Sequence, residues 1–213
     1  MLALKVLYPR HFMMTRGNHE TINMNNMYGF KGEVEHKYNV KVFDLFTELF
    51  NALPLAYVIG HKIFVCHGGL MKKDGVKIEE IQKIHRHQQP DGGVMSDMLW
   101  SDPQEANGLA PSKRGGGTMF GPDITKKFLD QNGLELLVRS HEVMEQGYQV
   151  IHNGKLITIF SAPNYVDQMG NKAAFIRLDK TYKPDFVQFE AQKHPPLRPM
   201  AYGGGAFNMA NFM

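Results

Sequence analysis

The chain reads as an α/β fold, a sandwich of mixed sheets flanked by helices. Helix-period and strand-period stretches alternate through the early part, and strand-length apolar runs crowd the last third. No linker, internal repeat or low-complexity stretch divides the 213 residues. Hydrophobic residues make up 43% and charged residues 21%, a balance that excludes disordered and fibrous classes and suits one sizeable domain.

Residues 2–7 suit the end of a helix running into Tyr8-Pro9. The apolar run 11–15 predicts a short buried strand ending at Arg16-Gly17-Asn18-His19-Glu20. From 40 to 53, Val42, Phe43, Leu45, Phe46, Leu49 and Phe50 recur at helical spacing on one broad face until Pro54 stops the helix. Two strands follow, 55–59 and 62–66, joined by Gly60-His61 as a tight hairpin, and the second leads into His67-Gly68-Gly69. Residues 75–87 read as a polar helix, and 91–117, rich in Gly, Pro and Ser, as a long surface loop. Pro122 opens a helix that the Asn132-Gly133 turn ends. Strands are expected at 134–139, 148–152, 156–160, 173–178 and 185–190, with Asn153-Gly154 as a hairpin turn. The tail from 195 to 213 reads as an extended segment.

A formal charge of +3 is too small for a nucleic-acid surface, and Lys72-Lys73 and Lys126-Lys127 lie among acidic residues as solvated faces. Cys66 is the single cysteine, so no internal disulfide is available and it reads as a small core hydrophobe. No apolar stretch approaches the ~18 residues of a membrane span. The expectation is an intracellular protein, cytoplasmic or nuclear, with no membrane and no nucleic-acid partner.

The chemistry lies where apolar strands end abruptly in polar clusters. Arg16-Gly17-Asn18-His19-Glu20, His67-Gly68-Gly69 and Arg139-Ser140-His141-Glu142 share that design, and strand ends gather at one sheet edge. Imidazole nitrogen and amide oxygen from His67, His141, His19 and Asn18 suit Mn, Fe or Zn. Arg16 and Arg139 offer paired donors to phosphate oxygens. Such parts fit metal-assisted hydrolysis of a phosphate ester, with a histidine protonating the leaving oxygen. His36, His61, His85, His87 and His194 stand in polar, loop-like settings and read as surface residues.

Six segments resemble signatures of the phosphoprotein phosphatase family, in its order and spacing. They are Arg16 to Glu20, His67-Gly68-Gly69-Leu70, Leu99-Trp100-Ser101-Asp102-Pro103, Phe120-Gly121-Pro122-Asp123, Arg139 to Glu142 and Ser161-Ala162-Pro163-Asn164-Tyr165. Ser112-Lys113-Arg114-Gly115 and the stretch from Asp167 to Ala173 are most similar to the type-five branch. The resemblance implies a calcineurin-like metallophosphoesterase sandwich and hydrolysis of phosphoserine and phosphothreonine by a two-metal-activated hydroxide. It implies that Asn18, His67 and His141 bind the second of two divalent metals, and that His19 protonates the leaving group. Arg114 would hold the phosphate together with Asn18 and His19, Tyr165 would line the substrate groove, and Arg16, Glu20 and Arg139 would support the site. Phosphoprotein substrates and regulatory proteins are the implied partners.

The family's G-D-x-H-G and G-D-x-x-D-R-G signatures have no match here. Residues 1–213 are therefore expected to be a partial catalytic domain, incomplete at the N-terminus and without the first-metal ligands. Two other readings stand beside this one: a partner-binding remnant without catalysis, and a metallophosphoesterase of small substrates.

Overall fold

The computed structural model describes residues 1–196, so almost all of the expected tail lies outside the described residues. In chain order the elements begin with helices α1 (Leu2–Leu7), α2 (Ile22–Met27), α3 (Phe30–Lys37) and α4 (Val40–Ala52). Strands β1 (Ala56–Ile59) and β2 (Ile63–Cys66) follow, then helices α5 (Ile78–Gln82) and α6 (Gly93–Trp100). Short strands β3 (Asp102–Pro103), β4 (Leu109–Pro111) and β5 (Thr118–Phe120) lead to helix α7 (Pro122–Asn132). The last third holds β6 (Leu136–Arg139), β7 (Tyr148–Ile151), β8 (Leu156–Ile159), β9 (Ala173–Leu178) and β10 (Pro184–Phe189).

The main sheet has five strands in the order β1-β2-β6-β8-β7. Its centre is parallel, β2 with β6 and β6 with β8, while hairpins close both edges antiparallel. Strand alternation divides two cores between its faces. Phe64 and Cys66 of β2, Leu137 of β6 and Leu156 of β8 point to one core, shared with Met98, Leu99 and Leu129 from the helices. Ile63, Leu136, Val138 and Ile157 point to the other, which the β9–β10 hairpin covers with Ile176, Leu178 and Phe186. The expected sandwich of mixed sheets flanked by helices is what forms, with a small third sheet, β3-β5-β4, beside it.

Turn chemistry fixes the hairpins. Gly60 (φ 57°) and His61 (φ 58°) form the tight turn between β1 and β2, closed by the Lys62 N–H donating to the Ile59 carbonyl at 3.0 Å. Gly133, at φ 65°, ends α7 in the left-handed conformation. Cys66 is buried as expected, and burial pushes its thiol up to about 12.

Several expectations need correcting. Residues 11–15 form no strand: the Arg16 N–H donates to the Pro54 carbonyl at 2.8 Å, and among the described residues no ladder pairs the run itself. The 75–87 helix is confined to Ile78–Gln82. Beyond it, the Arg86 and Gln88 carbonyls turn instead to the Arg16 guanidinium, at 3.3 and 2.9 Å. Residues 91–117 are not one long loop; they contain α6, whose Met95, Met98 and Leu99 are buried, and two short strands. Helices α2 and α3, for which no expectation was drawn, are capped by Thr21 and separated by Gly29 at φ 83°.

Phe64 is 1% exposed and meets Phe128 edge-on at 5.1 Å between ring centroids. Phe64→Ala is expected to cost about 3–5 kcal/mol in urea unfolding. Phe175→Ala, on a ring 45% exposed, should stay within about 1 kcal/mol. Equal costs at the two positions would mean that the core is not where the packing puts it.

Candidate active site

The parallel strands β2 and β6 end side by side, and the chain leaves both toward the same edge. His67 follows β2 directly, and Ser140-His141 follows β6; the Ser140 N–H donates to the His67 carbonyl at 3.0 Å, tying the two exits together. Carboxyl ends of parallel strands are where open α/β sheets collect ligands. The turn carrying Asn18 and His19 closes the same edge, so the residues expected from three separate strand ends do meet.

His67 Nε2 lies 2.8 Å from Asn18 Oδ1 and 3.2 Å from His141 Nδ1. One proton on His67 Nε2 can serve both contacts, in which case neutral His141 carries its own proton on Nε2. That atom is buried without a hydrogen-bond partner among the described residues, 4.0 Å from Asp102 Oδ1. Burial pushes His67 down to about 3, with Arg139, His19 and Arg114 adding to the effect, and pushes His141 down as well, so both rings stay neutral. His141 also holds φ at 72°, a left-handed conformation that a non-glycine residue keeps only when its surroundings impose it.

This donor set fits a divalent cation. Two imidazole nitrogens and an amide oxygen gathered this closely are ligand types that Mn, Fe and Zn accept. All three donors are neutral. No third His, Cys, Asp or Glu joins the two imidazoles among the described residues.

The other expected residues take distinct places. His19 stacks on Tyr28 at 4.8 Å and 6°; burial lowers its pKa and the Glu20 charge pulls it back up. Arg114 and Tyr165 face the same cavity of about 890 Å³ as His19, His67 and His141. Arg114 donates through Nε to Asp102 Oδ2 at 2.6 Å, and Tyr165 meets Phe160 edge-on at 5.2 Å. Burial raises the Tyr165 hydroxyl. Glu20 accepts the Gly17 N–H at 2.8 Å and fixes the turn before Asn18.

The two buried arginines, Arg16 and Arg139, are not part of the cavity lining. Arg16 spends its guanidinium on the carbonyls of Glu20, Arg86 and Gln88 and on Asn51 Oδ1. Arg139 donates to the Gly68 and Ser101 carbonyls, Asp102 and Glu142.

Reading the sequence for site residues missed Asp102, 3% exposed, which joins Arg139 to Arg114 through its two oxygens. Asp102 lies in the Leu99–Pro103 segment, but nothing local marks it, because the two arginines it joins are 12 and 37 residues away in sequence. Glu142, raised by burial against the pull of Arg139, was likewise passed over.

Sequence and structure comparisons place the chain among known proteins. Residues 1–145 match the model of the calcineurin-like phosphoesterase family. Human serine/threonine-protein phosphatase 5 is 53% identical over 204 residues, 95% of this chain and 41% of that protein. The Arabidopsis thaliana serine/threonine-protein phosphatase 5 is 54% identical over 213 residues, 99% of this chain and 40% of that one. The chain thus spans about two fifths of the length of these curated relatives. A solved serine/threonine phosphatase from Saccharomyces cerevisiae, described as similar to human PP5, superposes with a TM-score of 0.89 at 42% identity, covering 94% of this chain and 67% of that one. With a matching family model over most of its length, the chain belongs to the calcineurin-like phosphoesterases, a family that works with divalent metal ions.

Proposed function

We propose that this chain contributes to the hydrolysis of phosphoserine and phosphothreonine in proteins, supplying the leaving-group acid and the neutral half of a metal site. The observation that carries the reading is the convergence of Asn18 Oδ1, His67 Nε2 and His141 Nδ1 in one cavity with His19 and Arg114. Human phosphatase 5, alike over nearly this whole chain, supports the substrate class.

Asn18, His67 and His141 would hold a cation, Mn, Fe or Zn by their chemistry, and that ion when bound supplies Lewis-acid activation of water and phosphoryl oxygen. His19 gives its ring proton to the departing serine or threonine oxygen. Arg114, already at the cavity wall, binds equatorial phosphate oxygens by turning its terminal nitrogens to them. Tyr165 shapes the groove in which the peptide lies. Arg139 and Arg16 hold the loops of His141 and Asn18 in register.

Three neutral donors offset none of a dication's charge, and the nearby Asp102 carboxylate is engaged by two arginines. The chain by itself is therefore expected to retain metal weakly and turn over slowly. Hydrolysis of p-nitrophenyl phosphate and of a phosphoserine peptide with added Mn²⁺ tests the assignment. His19→Ala should lower the rate by about 10²–10⁴-fold. Metal-dependent turnover that survives the substitution would remove His19 from its role, and preference for a dinucleoside polyphosphate would overturn the substrate class. Absence of both turnover and Mn²⁺ binding would favour a partner-binding role.

A further inference from the structure

A second cavity, of about 350 Å³, opens between the chain that leaves His67 and the helix α7. Its floor is apolar and well covered by protein: Leu70 is 1% exposed, Val76 2% and Phe128 6%. Its mouth is open. Gly75, at φ 68°, has nothing within 4 Å of where a Cβ would stand, and Leu109 on the rim is 45% exposed. The volume lies at the lower end of the range for ligand sites, which matches one or two side chains.

The charge around this mouth has one sign in excess. Lys72, Lys73 and Lys127 line it against a single acid, Asp74. Lys127 pairs with Asp74 at 2.5 Å and Lys73 with Glu80 at 2.6 Å, both at exposed positions where such pairs are weak and exchange readily. Lys72 has no side-chain partner among the described residues, its backbone N–H being held by Asp97. Close by, Lys77 donates to the Gln131 carbonyl, and the Asp130 carboxylate is paired with Lys126.

We propose that this cavity docks an acidic linear segment of a partner protein, one bulky apolar side chain filling the floor and flanking carboxylates meeting Lys72, Lys73 and Lys127. The apolar anchor supplies the burial, and the lysines supply direction and reject basic segments. The position gives docking a route to the catalytic edge. Leu70 is three residues beyond His67, and Leu109 begins β4, whose chain continues through Pro111 to Arg114. A segment seated here therefore presses on the two loops that carry a metal donor and the phosphate-binding arginine, while staying outside the cavity where chemistry is proposed.

The probe is a fluorescent peptide with one leucine flanked on each side by two glutamates, titrated by anisotropy against the 213-residue chain. Saturable binding is expected, weakening as salt rises. Lys72→Glu combined with Lys127→Glu should weaken it tenfold or more, as should Leu109→Asp, while circular dichroism shows the variants folded. A peptide with serine in place of leucine, or lysines in place of glutamates, should not bind. Three results would overturn the proposal: no saturation up to about 1 mM, equal binding by the serine peptide, or unchanged affinity in folded variants. Self-association of the chain that Leu109→Asp abolishes, without peptide binding, would assign the cavity to a second copy instead. None of these readouts depends on phosphatase activity.

Discussion

Arg139→Met should cost about 3–5 kcal/mol of stability, as much as emptying the core at Phe64. Arg139 is 1% exposed and its guanidinium donates to the Gly68 carbonyl at 2.5 Å, the Ser101 carbonyl at 3.2 Å, and Asp102 and Glu142 at 2.7 Å each. Methionine approximates the stem but supplies no donor. The Gly68 and Ser101 carbonyls would lose a partner, and the buried Asp102 carboxylate would keep only Arg114. A shift in urea midpoint at constant slope measures the effect. Arg177→Met is the control, because the Arg177–Asp185 pair has side chains 67% and 61% exposed and should change stability by less than about 1 kcal/mol. A small effect at Arg139 would mean that the loops at the ends of β2 and β6 are held by something else.

His67→Ala is the second large effect, and it is on metal rather than on folding. His67 Nε2 is the atom common to both short contacts of the donor cluster, so its loss leaves Asn18 Oδ1 and His141 Nδ1 with nothing between them. Affinity for Mn²⁺ or Zn²⁺, measured by calorimetry, should fall by more than about 100-fold, the upper range for losing a mere outer-shell partner of a ligand. His85→Ala, at an exposed position outside the cavity, should bind metal as the parent does. Undiminished affinity in His67→Ala would place the metal elsewhere.

Much of this architecture was legible because local chemistry and tertiary packing agree. Gly60-His61, Pro122, Gly133 and Asn153-Gly154 each demand a particular backbone, and each occurs where that backbone is used. The failures have physical causes. Gly92-Gly93 reads as a break, yet it lies at the start of α6, with φ of 135° and 63°, and Met95, Met98 and Leu99 then repeat at helical spacing. Residues 11–15 have strand composition, but a strand exists only through a neighbour, and no neighbour is encoded locally. The helix after Gly75 ends at Gln82, and farther along the Arg86 and Gln88 carbonyls turn to a guanidinium some seventy residues upstream, a partner that no local pattern encodes. For the site, histidines following apolar runs could be picked out singly. Asp102 could not, since its importance comes from Arg114 and Arg139, distant in sequence and near in space.

The alternation along β2 and β6 sends successive residues to opposite cores, up to the last position before each polar loop. The strands therefore act as gauges. A one-residue slip would exchange the two cores wholesale, so hydrophobic packing alone dictates where His67 and His141 emerge. Positional accuracy at the metal donors is inherited from oil-like contacts well behind them. Substitutions that loosen either core without unfolding it would then blur the distances between donor atoms first, and selectivity among cations should degrade earlier than thermal stability.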